Sequence, residues 1–315
     1  MAGDTPLMEA VRAYLSDRRS LGYKLILHEH ELLSFARFAA RVGHTGPITT
    51  DLALRWARLP VQAGPAYWAQ RLSIVRSFAK YQASIAPGTE IPEVRLLGPR
   101  YHRPTPHIYS SDELQSLLRE ARRLEPRTGL RPHTYETLFS LLMCTGLRIS
   151  EALKLRRTEV DLDAEAIWVV ESKCRKSRCL PIHRTTARAL VVYQSRRNER
   201  LPWANDTHIF MTERGTPLTW RRVNRTFRDI RSRLGWTIAP WPRIHDLRHT
   251  FAVRTLLRWY AEDAPMNNKI AYLATYLGHA DASDTYWYLS AVPELLRIAA
   301  QRFERFADPQ GTKGE

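Results

Sequence analysis

AIWVVESKCRKSRCLPIH, residues 166–183, carries the strand signal of this chain. Ala166–Val170 is β-branched and aromatic, and Cys179–Ile182 has the look of a partner strand. The polar, basic SKCRKSR between them predicts a hairpin tip. Outward from the hairpin the pattern turns helical. Thr134–Cys144 is an apolar helix stopped at Gly146, and helices resume over TTARALVVYQSRR, LTWRRVNRTFRDIRSRLG and IHDLRHTFAVRTLLRWY. Ser110 and Glu113 form an S-x-x-E capping box before ELQSLLREARRL. From Pro293, PELLRIAAQRFERF predicts an amphipathic helix, and DPQGTKGE beyond it a frayed end. The expectation is a mostly α domain with a small antiparallel sheet over residues 110–308 and a tail over 309–315.

Towards the N-terminus, residues 99–109 belong to a proline-punctuated, basic stretch without apolar periodicity, which predicts a linker. Arg100 and Arg103 would let it touch a phosphate backbone. Residues 1–98 predict a separate all-helical domain of four helices, beginning near Leu7, His28, Asp51 and Ala66. Thr49 and Thr50 are the start signal for the third. Arg71, Arg76 and Lys80 fall on the expected polar side of the fourth, either as a plain solvated face or as contacts to nucleic acid.

The chain has 315 residues, enough for two cores, and a formal net charge of +16, which attracts polyanions. Most of its basic residues are arginine, whose forked donors suit phosphate oxygens. No apolar run approaches the roughly 20 residues needed to span a bilayer. Cys144, Cys174 and Cys179 lack ligand-like spacing, so reduced thiols in a cytoplasmic protein are expected, with no metal and no cofactor.

Chemistry gathers in an ordered set: Arg148 in TGLRISEALKL, Lys173 in the hairpin, His245 and Arg248 in IHDLRH, His279 in LGH and Tyr288 in DTYWYLS. Two arginines, a lysine and two histidines can surround a phosphodiester with charge and donors, and a tyrosine hydroxyl can attack its phosphorus. Each piece alone has a plainer reading. Arg148 could pair with Glu151 on a helix surface, His279 could close a helix end, and His249 is favoured as a structural hydrogen-bonder. Tyr286 competes with Tyr288, and Lys176 with Lys173. No phosphate-cradling G-x-x-x-x-G-K-[ST] loop and no carboxylate cluster suited to Mg²⁺ occurs.

Over residues 145–288, through TGLRISEALKL, KCRKSRCLPIH, HDLRHTFA and LGHADASDTYWYLS, the chain resembles the tyrosine recombinase (phage integrase) family, including its XerC/XerD-like members. The resemblance implies a two-domain, C-shaped clamp, its N-terminal half a SAM-like core-binding domain. It implies site-specific recombination of double-stranded DNA through a 3′-phosphotyrosine on Tyr288 and a Holliday junction, in integration, transposition or dimer resolution. Lys173 then resembles the family's general acid, and Glu151 its acidic position that orients Arg148. Arg175, Lys176 and Arg178 join Arg71, Arg76, Lys80, Arg100 and Arg103 as expected DNA contacts.

The same analogy implies a tetramer on DNA, docked through the C-terminal helix in cis or in trans. It leaves open a second recombinase or an accessory DNA-bending protein. The rival readings are type IB topoisomerase-like cleavage without exchange, and an inactive DNA-binding accessory factor.

Overall fold

The computed structural model describes residues 5–99, 105–170, 177–239, 241–262, 266–279 and 283–291, with single positions at 281, 297 and 300. Contacts divide the chain into two units, Met1–Pro104 and Thr105–Glu315.

The first unit is four helices: α1 (Pro6–Ser20), α2 (Ile26–Arg41), α3 (Thr50–Ala57) and α4 (Pro65–Gln82). Proline opens α1 and α4, where a missing N–H costs nothing, and the Thr49 side chain accepts from the Leu52 amide at 3.2 Å to cap α3. Their apolar stripes meet in a core built on Val11, Leu15, Phe35, Trp56, Val75 and Phe78, all buried. Burying a side chain of this kind contributes about 1.5–3 kcal/mol.

Arg71 corrects the expectation for α4. It is not on a polar face but in this core, 7% exposed. Its guanidinium lies 3.8 Å from the Trp56 ring centroid and donates to the Trp56 carbonyl at 3.2 Å. It also pairs with buried Glu31 at 3.6 Å, and Tyr67 donates to Glu31 at 3.0 Å. A buried charge needs such partners, and that requirement removes Arg71 from the surface. Arg76 is half-buried and Lys80 exposed.

The second unit runs α5 (Ser111–Arg122), α6 (Arg131–Thr145), α7 (Ile149–Lys154), a short 3₁₀ turn, β1 (Val160–Asp161), β2 (Ala166–Val169) and β3 (Arg178–Pro181). Helices α8 (Arg184–Arg200), α9 (Trp220–Arg233), α10 (Ile244–Ala261), α11 (Met266–Leu277) and α12 (Ser283–Ala291) follow. The capping box at Ser110 and Glu113 is present. The sheet is antiparallel in the order β1-β2-β3, with Val160 opposite Ile167 and Ile167 opposite Leu180. A two-residue strand such as β1 carries no readable alternation, so the sequence suggests only the hairpin.

Ile167 and Leu180 sit in one core with Leu138, Phe139, Leu142, Phe227 and Leu247. A second cluster joins α10, α11 and α12 through Val253, Leu256, Leu273, Leu277 and Tyr288. The hairpin residues Lys173, Arg175 and Lys176, the linker residues Arg100 and Arg103 and, apart from the helical positions 297 and 300, the segment expected as a helix from Pro293 lie outside the described residues. Among the described residues no helix is long and apolar enough to cross a membrane.

Candidate active site

The last carbonyls of a helix have no partner within it, and they carry the negative end of its dipole. At the C-terminus of α11 three arginines fill that role. Arg178 donates to the Tyr276 carbonyl at 2.9 Å, Arg248 to Leu277 at 2.8 Å and Arg148 to Gly278 at 2.8 Å. Arg248 also donates to the carbonyl of Gly146, which closes α6, at 2.8 Å. Two helix ends thus hold three guanidinium groups together.

Both glycines are obligatory. Gly146 has φ +61°, and a Cβ there would lie 2.6 Å from Phe251 Cδ1. Gly278 has φ +69°, and a Cβ there would lie 2.6 Å from an Arg178 Nη1. Each is the left-handed residue that ends a helix. At Gly278 the turn is completed by the His279 amide donating to Ala274 at 2.9 Å, which fixes where the His279 side chain leaves the chain.

Glu151 binds two of the arginines. Its carboxylate accepts from the Arg148 amide at 3.0 Å and from Arg148 Nη1 at 2.9 Å. Arg178 adds two more donors, at 3.1 and 2.9 Å. Burial alone would raise the Glu151 carboxyl, but the hydrogen bonds from Arg178 and Arg148 outweigh it and hold the group below its ordinary value. One carboxylate facing Arg148, Arg178 and Arg248 leaves a surplus of positive charge. Burial and neighbouring Arg148 push Arg248 down to about 10, which keeps it cationic at neutral pH.

Above this frame lie three histidines and a tyrosine. His245 is solvent-accessible, yet protein atoms crowd it. That desolvation, followed by the charge of Arg248, pushes it down to about 4, so it is neutral near pH 7. The His245 ring meets His249 edge-on, with centroids 4.6 Å apart. His249 is buried, and its Nδ1 is hydrogen-bonded to the Tyr288 hydroxyl at 2.8 Å. His279 Nδ1 is bonded to Thr285 Oγ1 at 2.6 Å, and its ring stacks near Tyr288 at 6.4 Å. Tyr288 itself is 1% exposed.

Of the residues singled out from the sequence, Arg148, Glu151, His245, Arg248, His279 and Tyr288 share this region. Lys173 lies outside the described residues. Arg178 departs from its expected place: it is not an exposed tip contact, for its side chain is 10% exposed and committed to Glu151 and α11. The signal was available, since Arg178 stands two residues before buried Leu180 and so shares its inward face. Tyr286, the competitor of Tyr288, is 52% exposed, and the Trp287 ring packs 5.7 Å from that of His249. Among the described residues no group of three or more His, Cys, Asp or Glu could hold a metal.

The model of the phage integrase family matches residues 108–294. A Sinorhizobium fredii protein named as an integrase/recombinase, y4rB, is 40% identical over 304 residues, covering 94% of this chain and 96% of its own. Tyrosine recombinase XerD of Caulobacter vibrioides is 31% identical over 243 residues, covering 75% and 74%. Among solved structures, the Tn1549 transposon integrase in complex with transposon right end DNA superposes with a TM-score of 0.70 at 16% identity, over 95% of this chain and 99% of that one. The XerH site-specific recombinase bound to palindromic difH substrate gives 0.67 at 16% identity, over 93% and 84%. At these identities the structural likeness concerns the fold alone, the two-domain, mainly helical architecture with a small sheet. The family match over residues 108–294 and the 40% identical relative carry the assignment: the chain belongs to the phage integrase family and is a tyrosine-type site-specific recombinase.

Proposed function

We propose that this recombinase cleaves and rejoins double-stranded DNA with Tyr288 as nucleophile and Arg148, Arg248, His245 and His279 around the scissile phosphate. The observation that carries the reading is the convergence of two arginines and the tyrosine on the turn closing α11. A phosphodiester repels an anionic nucleophile, and charge on its non-bridging oxygens grows towards the transition state. Fixed guanidinium donors offset that charge without reorganising. His245, neutral in the free protein, would gain a proton beside a bound phosphate and add a further donor. Glu151 and Arg178 act through Arg148 by holding its guanidinium in place.

Lys173 is assigned by resemblance as the acid that protonates the departing 5′ oxygen. Joining the phosphotyrosine to a new 5′ hydroxyl conserves the bond, so exchange through a Holliday junction needs neither ATP nor metal. Lys80 and Arg76 on α4, with Arg100, Arg103, Arg175 and Lys176, are proposed to bind the DNA backbone. Assembly into a tetramer on DNA through the segment after Pro293, in a cytoplasmic setting, completes the reading. Integration, transposition and dimer resolution all remain compatible with it.

A nicked duplex suicide substrate carrying the native site tests the nucleophile. A protein–DNA adduct that survives denaturation should form with wild type and vanish with Tyr288→Phe. An adduct persisting in Tyr288→Phe would transfer the role to Tyr286.

A further inference from the structure

We propose that His249 takes the proton from Tyr288 during strand cleavage and returns it on rejoining; this rests on the reading of Tyr288 as nucleophile. The HxxR pattern directs attention to His245, yet the histidine whose Nδ1 meets the tyrosine hydroxyl at 2.8 Å is His249, one turn further along α10. Their rings are tilted at 64° with centroids 5.4 Å apart, so the hydroxyl lies against the edge of the imidazole, where a nitrogen lone pair projects. With its proton on Nε2, the imidazole accepts from the hydroxyl through Nδ1.

The neighbours fit such a role. On α10, His245 packs edge-on against His249, and Arg248 precedes it. From α12 come Tyr288 and Trp287, and from the turn after α11 comes His279, whose Nδ1 is engaged by Thr285. Arg148, at the start of α7, and Arg178, bridged by Glu151, act electrostatically on Arg248. These cations favour a phenolate over a phenol, while an imidazole nitrogen in hydrogen-bond contact gives the departing proton a receiver.

The step balances. The Tyr288 Oη–P bond forms and the P–O5′ bond breaks. The hydroxyl proton passes to His249 Nδ1, and the 5′ oxygen takes a proton from the acid assigned to Lys173. On rejoining, the 5′ hydroxyl attacks and gives its proton back to the group assigned to Lys173, Oη leaves, and His249 returns its proton to Oη.

The test compares His249→Ala and His249→Gln with wild type in single-turnover cleavage of the suicide substrate across pH, using an ordinary and a 5′-bridging phosphorothiolate linkage at the scissile position. Glutamine can hold the hydroxyl but cannot take its proton, and it keeps the volume if alanine fails to fold. Both variants should lose about 10²-fold at pH 7, with the deficit shrinking as pH approaches the ordinary tyrosine value near 10. A thiolate leaves without an acid, so that substrate should rescue Lys173→Ala but neither His249 variant. His249→Gln within twofold of wild type, rescue of His249 variants by the thiolate, or faster cleavage (a hydroxyl merely stored by His249) would each overturn the proposal. Failure of the nucleophile reading looks different, because Tyr288→Phe would then still form adduct.

Discussion

Each unit of the recombinase contains a buried glutamate paired with arginine, and the two pairs are put to different ends. In the first unit Glu31 meets one arginine, Arg71, which is sandwiched on Trp56 and sealed at 8% side-chain exposure. In the second, Glu151 meets Arg148 and Arg178, and the Arg148 side chain keeps 21% of its surface open. The first cluster closes on itself: one negative charge, one positive, an aromatic lid. The second carries more cation than its carboxylate neutralises, and helix carbonyls absorb part of the excess. A balanced buried pair is a structural fixture, whereas an unbalanced one, facing solvent, is a waiting anion site.

The largest effect expected of that contrast is on chemistry. On the proposed function, Arg148→Ala should lower single-turnover cleavage by about 10³-fold, since it would remove donors to the developing charge. Filter binding to non-specific DNA should change little, because that affinity is spread over many phosphates. Equal losses of binding and cleavage would make Arg148 an ordinary DNA contact and erase the distinction.

Next comes stability. Removing one partner of a buried pair costs about 3–5 kcal/mol, because the other charge is left behind. Glu31→Gln should therefore lower the denaturation midpoint while the folded fraction cleaves normally. Glu151→Gln should lower the midpoint and also cost cleavage, as Arg148 loses its anchor. If Glu31→Gln slows cleavage of folded protein as much as Glu151→Gln does, the two clusters are not distinct.

The smallest effect concerns pH. His245 is held at about 4, below its ordinary 6.5, so the unfolded chain binds more protons between those values. Stability from this source is present above about 6.5 and declines as pH falls towards 4. Wild type should lose thermal stability over that window more steeply than His245→Asn. Parallel curves would mean that His245 is not desolvated, leaving the second cluster less crowded than described.

Much of this was legible beforehand, for definable reasons. The capping box at Ser110, the four helices of the first unit and the β2–β3 hairpin follow from short-range patterns that tertiary packing reinforced. Arg148, His245, Arg248, His279 and Tyr288, which the structure brings into one region, were singled out by their order along the chain, since each alone had a plainer reading. Arg71 misled because a cation on an amphipathic helix ordinarily marks the solvent side, and its partner Glu31 lies 40 residues away. Arg178 was hidden among other basic residues of the hairpin, and strand alternation was the only clue to its inward turn. The reach of His249 to Tyr288 spans 39 residues and depends on how α12 packs on α10, which no local pattern encodes.

The turn at the end of α11 also sets which sequence changes this family member tolerates. The oxygens that accept from Arg178, Arg248 and Arg148 at positions 276–278 belong to the main chain. No exchange of the side chains at 276 or 277 can delete an acceptor. A single-residue insertion or deletion within α11, by contrast, turns the helix end by about 100° and carries all three oxygens away together. The segment is thus forgiving of drift in composition and intolerant of drift in length.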